Sequence, residues 1–288
     1  MYGVSSMTCS LRRVALSKPG VALLEAEATM WNYGPTFNRH KVLSQHQAFS
    51  DLLIDYGVDI LWIEEDNPNI ADAVFTYDAS LVTPAGAILM NPGKLLRQGE
   101  QLLHKAFYER FEIPVIGEIS GNARAEAGDT LWLDSKTLAM GRGFRTNQLG
   151  IDQMTEILAH QSITVHAFDV PYYQGSAACL HLMSLVSLVD TKTAAICDML
   201  LPVSLYQLMQ GMGFNFISLP FKEYKASGTL SGNILTIAPG ECIMIDGYSQ
   251  TRNTLEAAGV KIRVFKGDAL CIGCEGGPTC LTRPILRS

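Results

Sequence analysis

Five times along this chain an amphipathic helical stretch runs into a short β-rich segment, and that rhythm limits the folds open to it. The segments are FSDLLIDYGVDILWIEE (49–65), GEQLLHKAFYERFEIPVIGEI (99–119), LGIDQMTEILAHQSITVHAFD (149–169), PVSLYQLMQGMGFNFISLP (202–220) and TRNTLEAAGVKIRVFKG (251–267). In the second half of each, the hydrophobic period changes from 3.6 to 2, which marks a helix followed by a strand. Gly57, Gly213 and Gly259 stand at three of the junctions, where a helix C-terminus favours the left-handed backbone that glycine adopts without cost.

Hairpin-like pairs lie between these units, at 73–91, 130–143, 184–198 and 233–246, with Pro-Ala-Gly, Asp-Ser-Lys, Asp-Thr-Lys and Pro-Gly at their turns. Four modules of hairpin, helix and strand follow. A fifth is completed if the opening strand near 13–18 pairs with the closing segment 280–287. Such modules each need neighbours to bury their exposed faces, so the pattern predicts about five ββαβ-like α/β modules around a central axis. An open α/β sheet is the plainer alternative, since it also alternates strands and helices. No composition break divides the chain. A single catalytic domain over 1–288 is expected, with a short N-terminal extension at about 1–11.

A net charge of -6, with 22 Lys and Arg set against 28 Asp and Glu, argues against a nucleic-acid-binding protein, which needs a concentrated basic surface. The seven cysteines, at 9, 179, 197, 242, 271, 274 and 280, are odd in number in a chain long enough to fold without disulfides. No secretory signal or apolar span of membrane length is visible. These features point to a cytoplasmic protein with a small-molecule substrate and neither nucleic-acid nor membrane partners.

The polar residues Asp78, Gly128-Asp129, His181 and Cys280 recur at comparable places, at or just before a hairpin or closing strand. In a ring of modules such positions face one cavity. Cys280 follows Gly276-Gly277-Pro278, read as a tight exposed turn that could hold a sulfur at a cavity edge; most free cysteines are simply buried small hydrophobes. Cys271-x-x-Cys274 suggests zinc or a redox pair, but no matching ligand pair accompanies it and none is expected. His181, in an apolar run, would ordinarily be a satisfied core residue, yet beside a thiol it can shuttle a proton near neutral pH. Asp78 interrupts the run VFTYDASLV, and a carboxylate entering a core strand costs several kcal/mol unless paired. A cationic ligand would pair it. Glu126, before AGD, is unremarkable by itself.

Taken in order, ADAVFTYDASLV, AEAGDTLWLD, GRGFRTNQLG, LHLMSLVSLVD and EGGPTCLTRPI resemble the guanidine-modifying enzymes: arginine deiminase, dimethylarginine dimethylaminohydrolase and the amidinotransferases. The likeness spans about 12–287. It implies the pseudo-fivefold α/β propeller (pentein) fold. It also implies Cys280 as nucleophile, His181 as general acid/base, and Glu126 as a catalytic carboxylate that binds the guanidinium and helps move protons. Asp78 would be its partner in gripping the cation, and Asp72 would lie near the substrate's polar end. Arg97 and Arg145 look like the arginines that receive the substrate carboxylate. The implied reaction is cofactor-free and metal-free hydrolysis of a guanidine C–N bond through a Cys thiouronium, on a small cationic guanidino substrate. A homodimer is compatible with it.

Met183 stands where arginine deiminases carry the aspartate of a His-x-Asp pair, and a thioether can line space for N-methyl groups. With the RTN triplet at 145–147, this favours a dimethylargininase-like enzyme. Tyr77 and Ala71 depart from that branch and leave a different guanidino or ureido substrate open. Arginine deiminase and amidinotransferase are the alternatives, and a non-enzymatic protein that binds guanidino ligands is a further one, against which the Cys, His, Glu and Asp set argues.

Overall fold

The first strand of the chain pairs with its last, and this completes a fifth small sheet. In the computed structural model, which describes residues 1–64, 69–176 and 180–288, β1 (Leu11–Ser17) runs parallel to β2 (Asp59–Ile63). Glu65, at the end of the first helix-strand segment, and Cys179 lie outside the described residues.

Four further sheets repeat one plan of an antiparallel hairpin and a parallel third strand reached through a helix. They comprise β3 (Ser80–Thr83), β4 (Gly86–Leu89) and β5 (Val115–Glu118), then β6 (Thr130–Asp134), β7 (Thr137–Arg142) and β8 (Thr164–Asp169). After these come β9 (Val186–Asp190), β10 (Thr193–Ile196) and β11 (Asn215–Ser218), then β12 (Leu235–Ala238), β13 (Glu241–Ile245) and β14 (Lys261–Phe265). The last strand, β15 (Arg283–Arg287), lies antiparallel to β1, so the first sheet has the order β15-β1-β2. The result is five small three-stranded sheets in a mixed α/β fold.

Burial explains why the two kinds of segment read differently. β3 and β4 are buried along their whole length, whereas β5 and β11 keep exposed ends. A strand covered on both faces shows a continuous apolar run, and an outer strand alternates. Neighbouring sheets touch: β15 meets β3, β1 meets β12, β12 meets β9, and the short helix Leu182–Leu185 meets β6.

The long helices are Arg39–Asp55, Glu100–Arg110, Gln148–Ala159, Val203–Gly211 and Ser249–Ala257. The first begins ten residues before the expected segment, capped by Asn38, whose Oδ1 accepts from the His40 N–H. Its buried face includes Gln45 and His46, polar residues that break the apolar period over that stretch. All five helix-to-strand junctions use the left-handed backbone. Gly57, Gly213 and Gly259 do so with φ of 74°, 80° and 89°, and Glu112 and Ser162 take the same region at 54° and 56°. Among the described residues, no helix is long and apolar enough to cross a membrane.

Candidate active site

Each sheet is entered through a few residues that carry a polar side chain inward. Asp78 lies just before β3, Asp129 just before β6, His181 ahead of β9, Asn233 just before β12 and Cys280 just before β15. Hydrogen bonds join these lead-ins in sequence and then close. Tyr77 N–H donates to the Cys280 carbonyl (3.1 Å), and Ala127 N–H to that of Asp78 (3.0 Å). Leu182 N–H donates to Asp129 Oδ1 (2.9 Å), Ser187 Oγ to the Gly232 carbonyl (2.8 Å) and Thr279 N–H to Asn233 Oδ1 (3.0 Å). Residues about two hundred positions apart thereby share one small region.

Two adjoining cavities open there, of about 320 and 230 Å³, and both are lined by Asn32, Asp78, Glu275 and Cys280. His181 and Met183 face the larger one. Asp72, Lys94, Arg97 and Arg145 face the smaller. Cys280 is partly exposed and lines both cavities where they meet.

The Gly-Gly-Pro run before Cys280 is buried, not the exposed turn expected from its composition. Its glycines serve close packing. A Cβ at Gly276 would come within 2.3 Å of the Phe75 ring, and one at Gly277 within 2.2 Å of Asn233 Cγ.

Glu126 is wholly buried and organises the network. Its Oε1 accepts from the N–H groups of Gly93 (2.9 Å) and Lys94 (3.1 Å), and its Oε2 meets His181 Nε2 at 2.8 Å. Arg145 Nη1 donates to both oxygens, at 2.9 and 2.7 Å. Burial would raise the pKa of this carboxyl, but Arg145 and then His181 outweigh that and hold it well below the usual carboxylate range. Glu126 borders neither cavity. Its observed link to the cavities runs through His181.

Asp78 does face both cavities. Its Oδ1 accepts from Gly128 N–H (2.8 Å) and its Oδ2 pairs with Arg97. Burial pushes its pKa up, and His181 and Arg97 together bring it below the ordinary value. Gly128 separates the two functional groups. A Cβ there would come within 2.5 Å of His181 Nδ1 and 2.7 Å of Asp78 Oδ1.

Arg97 is buried and committed to Asp78, to Glu100 (2.8–3.1 Å) and to the Phe75 carbonyl (2.8 Å). It was expected to receive a substrate carboxylate; the partners it has in this structure are carboxylates of the protein. Arg145 is likewise engaged, with Glu126. Asp72 accepts from Tyr33 Oη (2.8 Å) and Lys94 Nζ (2.6 Å) at the edge of the smaller cavity. Lys94, Glu275 and Asn233 escaped the sequence reading. Asn233 sat at the first position of the fourth hairpin, where the recurrence of polar lead-ins was the available signal.

Asp78, Glu126 and His181 offer three ligand atoms within 4.8 Å of one another. These carboxylates already accept hydrogen bonds from backbone N–H groups and are flanked by Arg97 and Arg145, a setting suited to proton handling. Cys271 and Cys274 are buried, and burial pushes both thiols up.

The arginine deiminase profile matches residues 65–210 and 201–287, most of the chain. The chain belongs to the arginine deiminase family. That places it within the guanidine-modifying enzymes. Arginine deiminase from Mycobacterium avium is 25% identical over 88% of this family member and 68% of its own length. An uncharacterised protein of Aeropyrum pernix is 26% identical over 86% of each chain. Among solved structures, dimethylarginine dimethylaminohydrolase from Pseudomonas aeruginosa, bound to citrulline, superposes with a TM-score of 0.78 at 22% identity, covering 95% of this chain and 99% of that one. An amidinotransferase of saxitoxin biosynthesis from Microseira wollei gives 0.80 at 14% identity, covering 99% and 97%.

Proposed function

We propose that this family member hydrolyses a guanidine C–N bond of an arginine derivative, with Cys280 as nucleophile, in a pseudo-fivefold α/β propeller. The closed circuit of hydrogen bonds between the five sheet entrances supports the propeller. The observation that carries the chemistry is that the partly exposed Cys280 lines one cavity with His181 and Asp78, while Glu126 holds the imidazole from behind.

Charge supports a cationic substrate. Arg97 pairs with Glu100, Arg145 with Glu126 and Lys94 with Asp72. Asp78, which shares Arg97, and Glu275 remain at the cavities as excess negative charge. A guanidinium against Asp78 would neutralise it and turn its central carbon to the sulfur. The Cys280 thiolate attacks that carbon, and the tetrahedral adduct collapses as His181 protonates the departing amine. A thiouronium remains. His181 then removes a proton from water, whose attack releases the ureido product and restores the thiolate. The smaller cavity takes the substrate's polar end, with Asp72 and Glu275 offering negative charge and Lys94 and Arg145 positive.

Met183 in the wall of the larger cavity favours an N-methylated arginine as substrate, with methylamine or dimethylamine leaving. A second reading, arginine deimination with loss of ammonia, is favoured by the family profile and the mycobacterial relatives. The deciding assay offers arginine, methylated arginines and agmatine, and scores both ureido product and released amine, with an acceptor amine added to reveal amidino transfer. We expect product from the wild type and none from Cys280→Ser, which still binds guanidine. Full turnover by C280S would end this reading. If agmatine outperforms every amino acid, Arg145 does not serve a carboxylate.

A further inference from the structure

We propose that Asn233 is a catalytic residue, the fifth polar group of the site, whose amide donates a hydrogen bond to the Cys280 sulfur and stabilises its thiolate. The idea rests on the reading of Cys280 as nucleophile.

Asn233 Nδ2 lies 3.2 Å from Cys280 Sγ, and both residues line the larger cavity. An amide presents oxygen and nitrogen with nearly the same shape, so its partners decide its orientation. Here Oδ1 accepts from Thr279 N–H at 3.0 Å, one residue before the cysteine, which turns the nitrogen to the sulfur. Gly277 locks the arrangement, because any side chain there would occupy the space of Asn233 Cγ, 2.2 Å from the Cβ position. Asn233 also stands two residues before β12, as Asp78 stands two before β3. The lead-ins that carry the imidazole and the thiol, five residues before β9 and three before β15, are comparable places in their own modules.

An N–H donor binds a charged acceptor more strongly than a neutral one, so this contact favours thiolate over thiol. When the C–S bond forms, the sulfur loses its negative charge and the contact weakens; it strengthens again when the ureido product leaves and the thiolate returns. The same donor lowers the sulfur's intrinsic nucleophilicity, because nucleophilicity follows basicity with a coefficient of about 0.4–0.5. Its benefit is therefore confined to pH values below the thiol's own titration.

This gives a signature that loss of packing does not share. Alkylation by iodoacetamide is followed against pH by tandem mass spectrometry, with fragment ions that assign the adduct to Cys280 and separate it from Cys271 and Cys274 of the same stretch. In N233A we expect the apparent pKa of Cys280 to rise by about one unit. Well below that pKa the rate falls about 3- to 4-fold, and on the plateau above it the rate rises about 3-fold, so the two profiles cross. N233D keeps the oxygen that accepts from Thr279 while removing the donor and adding a negative charge, and it raises the pKa at least as far. Gly277→Ala, which displaces the amide, shifts it in the same direction. Folded N233A and N233D proteins that both titrate within about 0.3 unit of the wild type would overturn the proposal. Because alkylation needs no guanidine, a shifted titration in a protein that turns over no guanidine would uphold the stabilisation of the thiolate by Asn233 and overturn the hydrolase reading, and the catalytic role with it.

Discussion

Two pairs of buried arginines serve this molecule in opposite ways. Arg97 and Arg145, beside the cavities, meet carboxylates: Asp78 and Glu100 for one, Glu126 for the other. Arg283 and Arg287, on the closing strand, take part in none of the ion pairs among the described residues. Arg283 donates to the Tyr77 carbonyl (2.9 Å) and to that of Ser80, and lies 4.1 Å from the centre of the Tyr77 ring. Arg287 donates to the carbonyls of Cys9 (2.7 Å) and Thr236 (2.8 Å), and burial pushes its pKa down to about 10. The first pair balances charge where a cationic substrate is proposed to enter. The second staples the last strand to the backbone of β3 and its lead-in through Arg283, and to β12 and the N-terminal segment through Arg287, supplying donors rather than balance. Buried guanidinium groups of equal formal charge thus do different work, according to whether oxygens facing them are ionised.

Breaking the balanced pair has the largest expected effect. Glu126→Gln frees His181 and leaves Arg145 without its counter-charge, so steady-state kinetics should show kcat down about 10²–10⁴-fold. Unfolding should show a loss of about 3–5 kcal/mol, because one partner of a buried pair remains. His181→Ala matches the kinetic loss with a far smaller change in melting temperature, which separates the chemistry from the charge. Next comes Arg97→Met, which strands Asp78 and Glu100 and should also cost about 3–5 kcal/mol in urea unfolding. A neutral outcome would mean that the two carboxylates are protonated in the folded chain.

Asp129 sharpens the comparison as a buried carboxylate in the same region, bonded to Thr146 Oγ1 (2.6 Å) and Leu182 N–H but with no ion pair among those of the described residues. Burial pushes its pKa up to about 6 from 3.8. Such a group contributes stability below its unfolded pKa and loses it as pH rises through the folded value. The stability of D129N relative to the wild type should therefore increase between about pH 4 and 7, by up to about 3 kcal/mol. A flat difference in melting temperature over that range would refute the shift. The smallest effect is expected at the stapled pair. Arg287→Met loses two hydrogen bonds but also removes a buried charge, leaving a net cost of about 1 kcal/mol. Its kcat should stay within about twofold, since the side chain is a donor to backbone and nothing in the proposed chemistry uses it.

The repeat was legible because burial writes itself into residue spacing. The hairpins fell inside the segments expected for them, and the three junction glycines proved left-handed. Glu112 and Ser162, which do the same work, carried no such sign, because a residue with a Cβ announces a positive φ only when its backbone is seen. The start of the helix Arg39–Asp55 was hidden by Gln45, whose Oε1 accepts from the N–H groups of Ala269 and Leu270 more than two hundred residues later. Within the site, the lead-in position flagged Asp78, Asp129, His181 and Cys280. It passed over Asn233, since an asparagine before a strand is an ordinary turn residue until its two neighbours are known.

The sequence by itself determined the four complete helix-and-hairpin modules and the residue types at their entrances, because hydrophobic period and turn chemistry are local properties; the pairing of the two ends it left conditional, and the structure supplied it. The tertiary structure alone decided which polar atoms meet. Glu126 meets the imidazole of His181, Arg97 meets Asp78 and Glu100, and Gly277, read as part of an exposed turn, leaves the space that Asn233 fills. Those outcomes depend on distances of a few ångströms between segments far apart in the chain, and no spacing along a single strand or helix encodes them.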